Sequence, residues 1–102
     1  MITRGTTPSI RFSFNQINVS LITVVYLTVE QGSLVIEKDI STATVDPTHK
    51  FVEWAFTQEE TLQFDEKMPV KVQIRYRLQD GKAYASKIFT VSPYDILKDG
   101  VI

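Results

Sequence analysis

His49 is the single histidine of the chain, and Asp46 precedes it by one turn in the stretch Asp46-Pro47-Thr48-His49. An imidazole held by an aspartate is the general base of a Ser-His-Asp triad, but that chemistry needs a serine raised on a strained strand-to-helix elbow. No Gly-x-Ser-x-Gly stretch supplies one. With one histidine and no cysteine, structural zinc sets and the two-histidine facial triad are excluded. Carboxylates are adjacent at Glu59-Glu60 and Asp65-Glu66, whereas glycoside hydrolysis needs two carboxyls opposed across a cleft. Gly5, Gly32, Gly81 and Gly100 stand singly, so no glycine-rich loop cradles a phosphate. These residues lead to the expectation of a protein that is not an enzyme and takes no cofactor, metal or small-molecule substrate.

Two other groupings point to contact rather than catalysis. Lys71, Arg75 and Arg77 alternate along one face of a strand with Tyr84 expected opposite Arg77, an exposed basic and aromatic face of the kind that tracks a nucleic-acid backbone. Net charge argues against that use, because 11 Lys and Arg face 12 Asp and Glu for a total of -1, and polyanion binding needs a basic excess. No nucleic acid is expected. The second grouping is a strand with two apolar faces, Leu21, Val25, Leu27 and Val29 on one and Ile22, Val24 and Tyr26 on the other. A two-layer protein buries one such face, so Ile22, Val24 and Tyr26, together with the apolar Tyr94, Ile96 and Leu97 near the C-terminus, are the expected interface.

The elements that must position these residues are strands. Ile10, Phe12 and Phe14 alternate with polar residues after an arm that ends at Pro8, which predicts a first strand. Residues 21–30 and 34–40 flank Gln31-Gly32 and read as a hairpin. Val52, Trp54 and Phe56 share one face of the next strand, with Trp54 as a core anchor. Thr57-Gln58-Glu59-Glu60 has the form of a capping box and predicts one or two helical turns before Pro69. Asp80-Gly81 joins the last two strands, 70–78 and 82–91, and a two-residue loop there pairs Leu78 with Ala83 and Val70 with Val91. That register places Lys87 on the core side opposite Ile74, so a β-bulge is expected over residues 85–88.

Length and composition fit one domain, 1–102, with 43% hydrophobic and 23% charged residues. About seven short strands and one short helical turn predict an all-β fold, a two-layer antiparallel immunoglobulin-like β-sandwich, with a small barrel as the alternative. The N-terminal arm, 1–8, and the C-terminal segment, 92–102, are expected to serve assembly more than folding. No signal-like or membrane-spanning apolar stretch is evident, and no membrane partner is expected.

Several phrases in this order resemble a small prophage-encoded β-sandwich family. They are Arg4-Gly5-Thr6-Thr7-Pro8, Val29-Glu30-Gln31-Gly32 with Val35-Ile36-Glu37-Lys38, and Thr57-Gln58-Glu59-Glu60-Thr61-Leu62. In the C-terminal half, Gln73-Ile74-Arg75-Tyr76-Arg77-Leu78, Ala85-Ser86-Lys87-Ile88 and Ile96-Leu97-Lys98-Asp99-Gly100-Val101-Ile102 continue the resemblance. More distantly, the order of strands, capped turn and Asp-Gly hairpin is similar to the N-terminal β-sandwich of phage baseplate upper proteins. What the resemblance implies is a phage structural or adaptor protein, associated with tail or baseplate. It would act through contacts with other phage structural proteins or with itself as a homo-oligomer, in the host cytoplasm during assembly and then in the virion. The alternative is a ligand-binding sandwich of glycan type, with Tyr84 or Tyr94 stacking on sugar faces.

Overall fold

The computed structural model describes residues 2–102. Alternating apolar side chains build β1 (Ser9–Ser13), β2 (Ile22–Gln31), β3 (Leu34–Asp39), β4 (Thr44–Asp46), β5 (Phe51–Ala55), β6 (Val70–Leu78), β7 (Ala83–Ala85) and β8 (Phe89–Val91). They form two antiparallel sheets, β1-β5-β4 and β3-β2-β6-β7, with β8 continuing along the β6 edge beyond β7. In immunoglobulin lettering this is B-E-D facing C′-C-F-G, so the fold is a two-layer β-sandwich with that topology. Eight strands stand where about seven are expected from the sequence, because the last one is broken in two.

The core lies between the sheets. Val25, Leu27 and Val29 of β2 and Val70, Val72 and Ile74 of β6 face Val52 and Trp54 of β5, all buried. Each such aliphatic side chain stabilises the fold by about 1.5–3 kcal/mol on burial. The Trp54 indole N–H donates to the Asp39 carbonyl at 2.9 Å, joining one sheet to the edge of the other. Phe12 meets the edges of both Trp54 and Phe89, at centroid separations of 6.5 and 6.0 Å. Aromatic packing thus bridges β1 and β8 at the open seam of the sandwich.

A short helix, α1 (Gln58–Leu62), begins with the expected capping box: Thr57 Oγ1 accepts from Glu60 N, and Glu60 Oε1 accepts from Thr57 N. Thr61 is fully buried on its inner side, and its hydroxyl donates to the Thr6 carbonyl at 2.8 Å. Lys38 reaches from β3 to Glu60 at 2.8 Å and lies over the Phe56 ring, so one ion pair fastens α1 to the far sheet.

Both hairpins differ from the expected turns. In the first, Gln31 pairs with Leu34, so the turn is Gly32-Ser33 and Gln31 belongs to β2. Its buried amide donates to Asp65 O and Met68 O and accepts from Asp65 N, pinning the loop between α1 and β6. In the second, Leu78 N donates to Lys82 O and Gly81 N donates to Leu78 O. The loop therefore has three residues and ends at Gly81 with φ +88°, the left-handed position that closes such loops. Pairs near the turn shift by one, to Arg77 with Ala83 and Tyr76 with Tyr84. The expected register returns at Val72 with Phe89 and Val70 with Val91. The irregularity expected over 85–88 takes up the difference: Ser86 N donates to Ile74 O and Ser86 Oγ accepts from Ile74 N. Lys87 is thereby left exposed, with its ammonium 5.0 Å from the Phe89 ring centroid.

The two ends of the chain are zipped together. Thr3 and Tyr94 form a parallel bridge, Tyr94 N donates to Ile2 O and Arg4 N donates to Tyr94 O. Ile2 and Pro93 are buried, so part of the arm and of the C-terminal segment is core.

Candidate functional site

Pairing across the five-stranded sheet fixes the rows of its outer face. Asp39, Tyr26, Arg75 and Ala85 form one row, and Glu37, Thr28 and Gln73 the next. Val35, Glu30, Lys71 and Thr90 form a third, while Val24, Arg77 and Ala83 form a fourth. Side chains directly opposite in antiparallel strands share a face, so acidic residues collect on β3 and the end of β2, and basic residues collect on β6. Tyr26 stands between them, 45% exposed, with Val24 half-buried beside it. Val24, Tyr26, Arg75, Arg77 and Ala83 border a cavity of about 220 Å³ that also reaches Tyr76 and Tyr84.

The expected interface divides. The pairing of β2 with β6 shifts between Ile22 and Val24, and this bulge turns Ile22 into the core, where it is 7% exposed. A strict two-residue period would have kept Ile22 beside Val24 and Tyr26, and the extra residue is what flips it. Val24 and Tyr26 remain on the outer face. At the chain end Tyr94 is exposed and Leu97 wholly so, while Ile96 is half-buried against Gly5. Gly5 has φ +72°, a backbone conformation that favours glycine, and an added Cβ would also displace the tip of the Ile96 side chain, whose Cδ1 it would meet at 2.7 Å. The six expected residues therefore lie in three settings: Ile22 in the core, Val24 and Tyr26 on the sheet face, and Tyr94, Ile96 and Leu97 along the zipped ends.

The expected basic and aromatic face also changes. Lys71, Arg75 and Arg77 are exposed together on the outer face. Tyr84 is not among them: the three-residue loop places it opposite Tyr76, on the inner side of the sheet. There its ring stacks on Tyr76 at 5.4 Å, and Tyr76 meets the edge of Phe14 at 5.2 Å. Burial, with the neighbouring Tyr84 adding to it, pushes the Tyr76 hydroxyl above its usual pKa. Tyr84 lies level with Tyr76, and Tyr94 follows Val91, which lies level with Val70. At roughly 3.4 Å per residue Tyr84 and Val91 are about 20 Å apart along the strand, and Tyr94 follows three residues beyond Val91, so the two tyrosines form no shared platform.

Electrostatics distinguish the outer face from the rest of the surface. Among the described residues the ion pairs are Arg4 with Asp95 and Asp99, Arg11 with Glu53, Lys38 with Glu60, and His49 with Asp46. Lys71, Arg75, Arg77, Glu30 and Glu37 take part in none. Asp39 caps the short turn after β3, accepting from the Ser41 hydroxyl and, at 2.9 Å, from Ser41 N. These bonds hold its carboxyl below the usual range.

The catalytic possibilities have plain structural roles. Asp46 Oδ1 accepts from His49 N and Oδ2 meets His49 Nδ1 at 2.8 Å, within the turn that Lys50 closes at φ 60°. This pairing lowers the Asp46 pKa. Glu60 caps α1 and pairs with Lys38. Among the described residues no three His, Cys, Asp or Glu side chains converge as metal ligands, and no helix is long and apolar enough to cross a membrane.

A second opening lies at the seam between the sheets. It is a groove of about 550 Å³ lined chiefly by Ile10, Phe12, Phe89 and Val91. Phe14 N donates to Lys50 O and Phe56 N to Pro8 O, so the backbone groups of Ser9, Arg11 and Ser13 point away from β5 toward this open side.

No protein-family model and no curated protein sequence matches the chain.

Proposed function

We propose that this is a non-enzymatic phage or prophage structural or adaptor protein, tail or baseplate associated, acting through protein–protein contacts in the host cytoplasm during assembly and then in the virion. The observation that carries this reading is the outer face of the five-stranded sheet. There the exposed Tyr26 and its neighbour Val24 are flanked by Glu30, Glu37, Lys71, Arg75 and Arg77, none of them in an ion pair among the described residues. Aromatic and arginine side chains in one exposed patch are the composition of contact surfaces. The phrase-level resemblance to small prophage-encoded sandwiches supports the same reading, and virion proteins of this size act through repeated modest interfaces.

The test is to produce particles from a lysogen that encodes the chain, band them on a density gradient, and quantify the chain by mass spectrometry and with an antibody. Copies at a fixed ratio to the other virion proteins are expected. A chain that stays wholly in the soluble fraction overturns the virion role. Glycan-array binding abolished by Tyr84→Ala would move the protein to the glycan-binding class.

A further inference from the structure

The charges on the outer face are sorted by strand. Glu37 and Asp39 lie on β3 and Glu30 on β2, while Lys71, Arg75 and Arg77 lie on β6. Glu30 is directly opposite Lys71, and Tyr26 directly opposite Arg75. Yet Glu30 and Lys71 are not within ion-pair distance. Among the described residues the cations that lie over rings are Arg11 on Phe51, Lys38 on Phe56 and Lys87 on Phe89, so none lies over the Tyr26 ring, which is 45% exposed. Partners stand in register across the sheet without closing on one another.

We propose that this face is a two-fold contact with a second copy of the same chain, the axis lying in the plane of the face and running along the strands between β2 and β6. The proposal deepens the structural-protein reading by naming the partner of that surface. Rotation about such an axis exchanges the columns of the face and leaves every residue at its own height. β2 then lies over β6 of the second copy, and the rows match. Glu30 meets Lys71 of the other copy, Tyr26 meets Arg75 and Thr28 meets Gln73. Each contact occurs twice, as an isologous interface requires. Tyr26 receives a guanidinium on its open face, an arrangement favoured by the ring quadrupole.

The other in-plane choices fail on charge. An axis along β2 would bring Arg75 over Asp39, but the Asp39 carboxylate is already engaged by Ser41 and Glu30 would lie on Glu30, while an axis across the strands lays each column on itself, acid on acid and base on base. Like charges brought together at an interface oppose association strongly. Charge sorting therefore selects the direction of the axis along the strands, and the Glu30 row places it between β2 and β6. Sheet twist makes packed sheets cross at about −30°, so the match is closest in the rows nearest the axis centre.

Size sets the strength. Four strands spaced about 4.8 Å and about seven residues of about 3.4 Å give a footprint of roughly 19 by 24 Å, smaller than a standard interface. Exposed charge contacts are screened by salt. The dimer is therefore concentration-dependent and salt-sensitive.

The experiment measures mass by sedimentation over a wide concentration range, at low and high salt, on the full chain. Wild type shifts toward two chains at low salt and reverts at high salt. Glu30→Lys and Lys71→Glu, each alone, lose at least tenfold in self-association. An equimolar mixture of the two variants regains the dimer, since each copy then meets its opposite charge twice, and the chain carrying both changes regains it alone. Melting curves of the single variants show that both are folded, and the mixture separates lost contact from lost folding in any case. A wild type that stays monomeric throughout, single variants that associate as wild type does, or a mixture that stays monomeric each overturn the two-fold contact. A monomer that still bands with virions would overturn this contact and leave the adaptor reading standing; a dimer absent from virions would do the reverse.

Discussion

Arg4 donates from Nη1 to Asp95 Oδ1 at 2.7 Å, joining side chains 91 positions apart in sequence. The same guanidinium donates to Leu62 O and Phe64 O at 3.0 and 2.7 Å, so it holds the N-terminal arm, the exit of α1 and the C-terminal segment at once. The Asp95 carboxyl is held below its usual range by Ile96 N and then by Arg4.

Arg4→Met is expected to lower the melting temperature clearly. Two partly buried carbonyls lose their donor, at about 1–3 kcal/mol, and each kcal/mol is worth about 4–8 °C in a domain of this size. Asp95→Asn is expected to change little, because its bond to Arg4 is exposed and such pairs are weak. Thermal melts of the two variants check this, and equal losses would show the ion pair, rather than the carbonyl contacts, to matter.

The Glu60 carboxyl sits below its ordinary value of 4.5: burial pushes it up, and the bonds from Lys38 and from Thr57 N outweigh that push. A carboxyl whose pKa is lower folded than unfolded adds stability that is fully present above 4.5 and is lost as pH falls through the depressed value. The melting temperature is expected to drop on acidification below that point, and to drop less steeply in Glu60→Gln. A pH series of melts on both proteins measures the difference.

Gln31→Glu should show the opposite slope. Its Nε2 donates to Asp65 O and Met68 O, and a carboxylate there would face two carbonyl oxygens in a buried site. That carboxyl would titrate above its normal range, so the variant is destabilised at neutral pH and recovers as pH falls. Gln31→Leu removes the partners of Asp65 N and Met68 O and leaves Asp65 O with Met68 N alone, and should be destabilised at every pH by about 1–3 kcal/mol or more.

Gly81→Ala is expected to cost about 1 kcal/mol, because the site has φ +88° although nothing lies within 4 Å of an added Cβ. Gly81→Asn should cost less, since asparagine tolerates the left-handed region. Chemical denaturation of the pair checks the order.

The sandwich was legible because alternation marks strands and the Thr57–Glu60 cap marks a helix start, both local signals. What escaped is set by single-residue insertions. The bulge after Ile22 changes which face that side chain occupies, and no residue in Leu21-Ile22-Thr23-Val24 announces it. Asp-Gly suits a two-residue loop and a three-residue loop alike; the longer loop moved Tyr84 away from Arg77, while the Ser86–Ile88 kink restored the pairing of Val72 with Phe89. Lys87, a charge at an apparent core position, was the one visible sign of that kink. Gln31 beside glycine reads as turn, and its role appears only when residues 65–68 fold against it. Of the candidate face, the basic column was visible in the spacing of Lys71, Arg75 and Arg77. The acidic column was not, since it depends on how β3 pairs with β2.

The kink at Ser86–Ile88 has one more effect. It divides the outermost strand of the larger sheet into two runs of three residues, β7 and β8, with Ser86 turned inward to bond Ile74. An unbroken border of free amides and carbonyls is the template on which sheets grow into fibrils, and shortening it removes that hazard. At high protein concentration, this broken border offers a shorter template for edge-to-edge pairing than one continuous strand would.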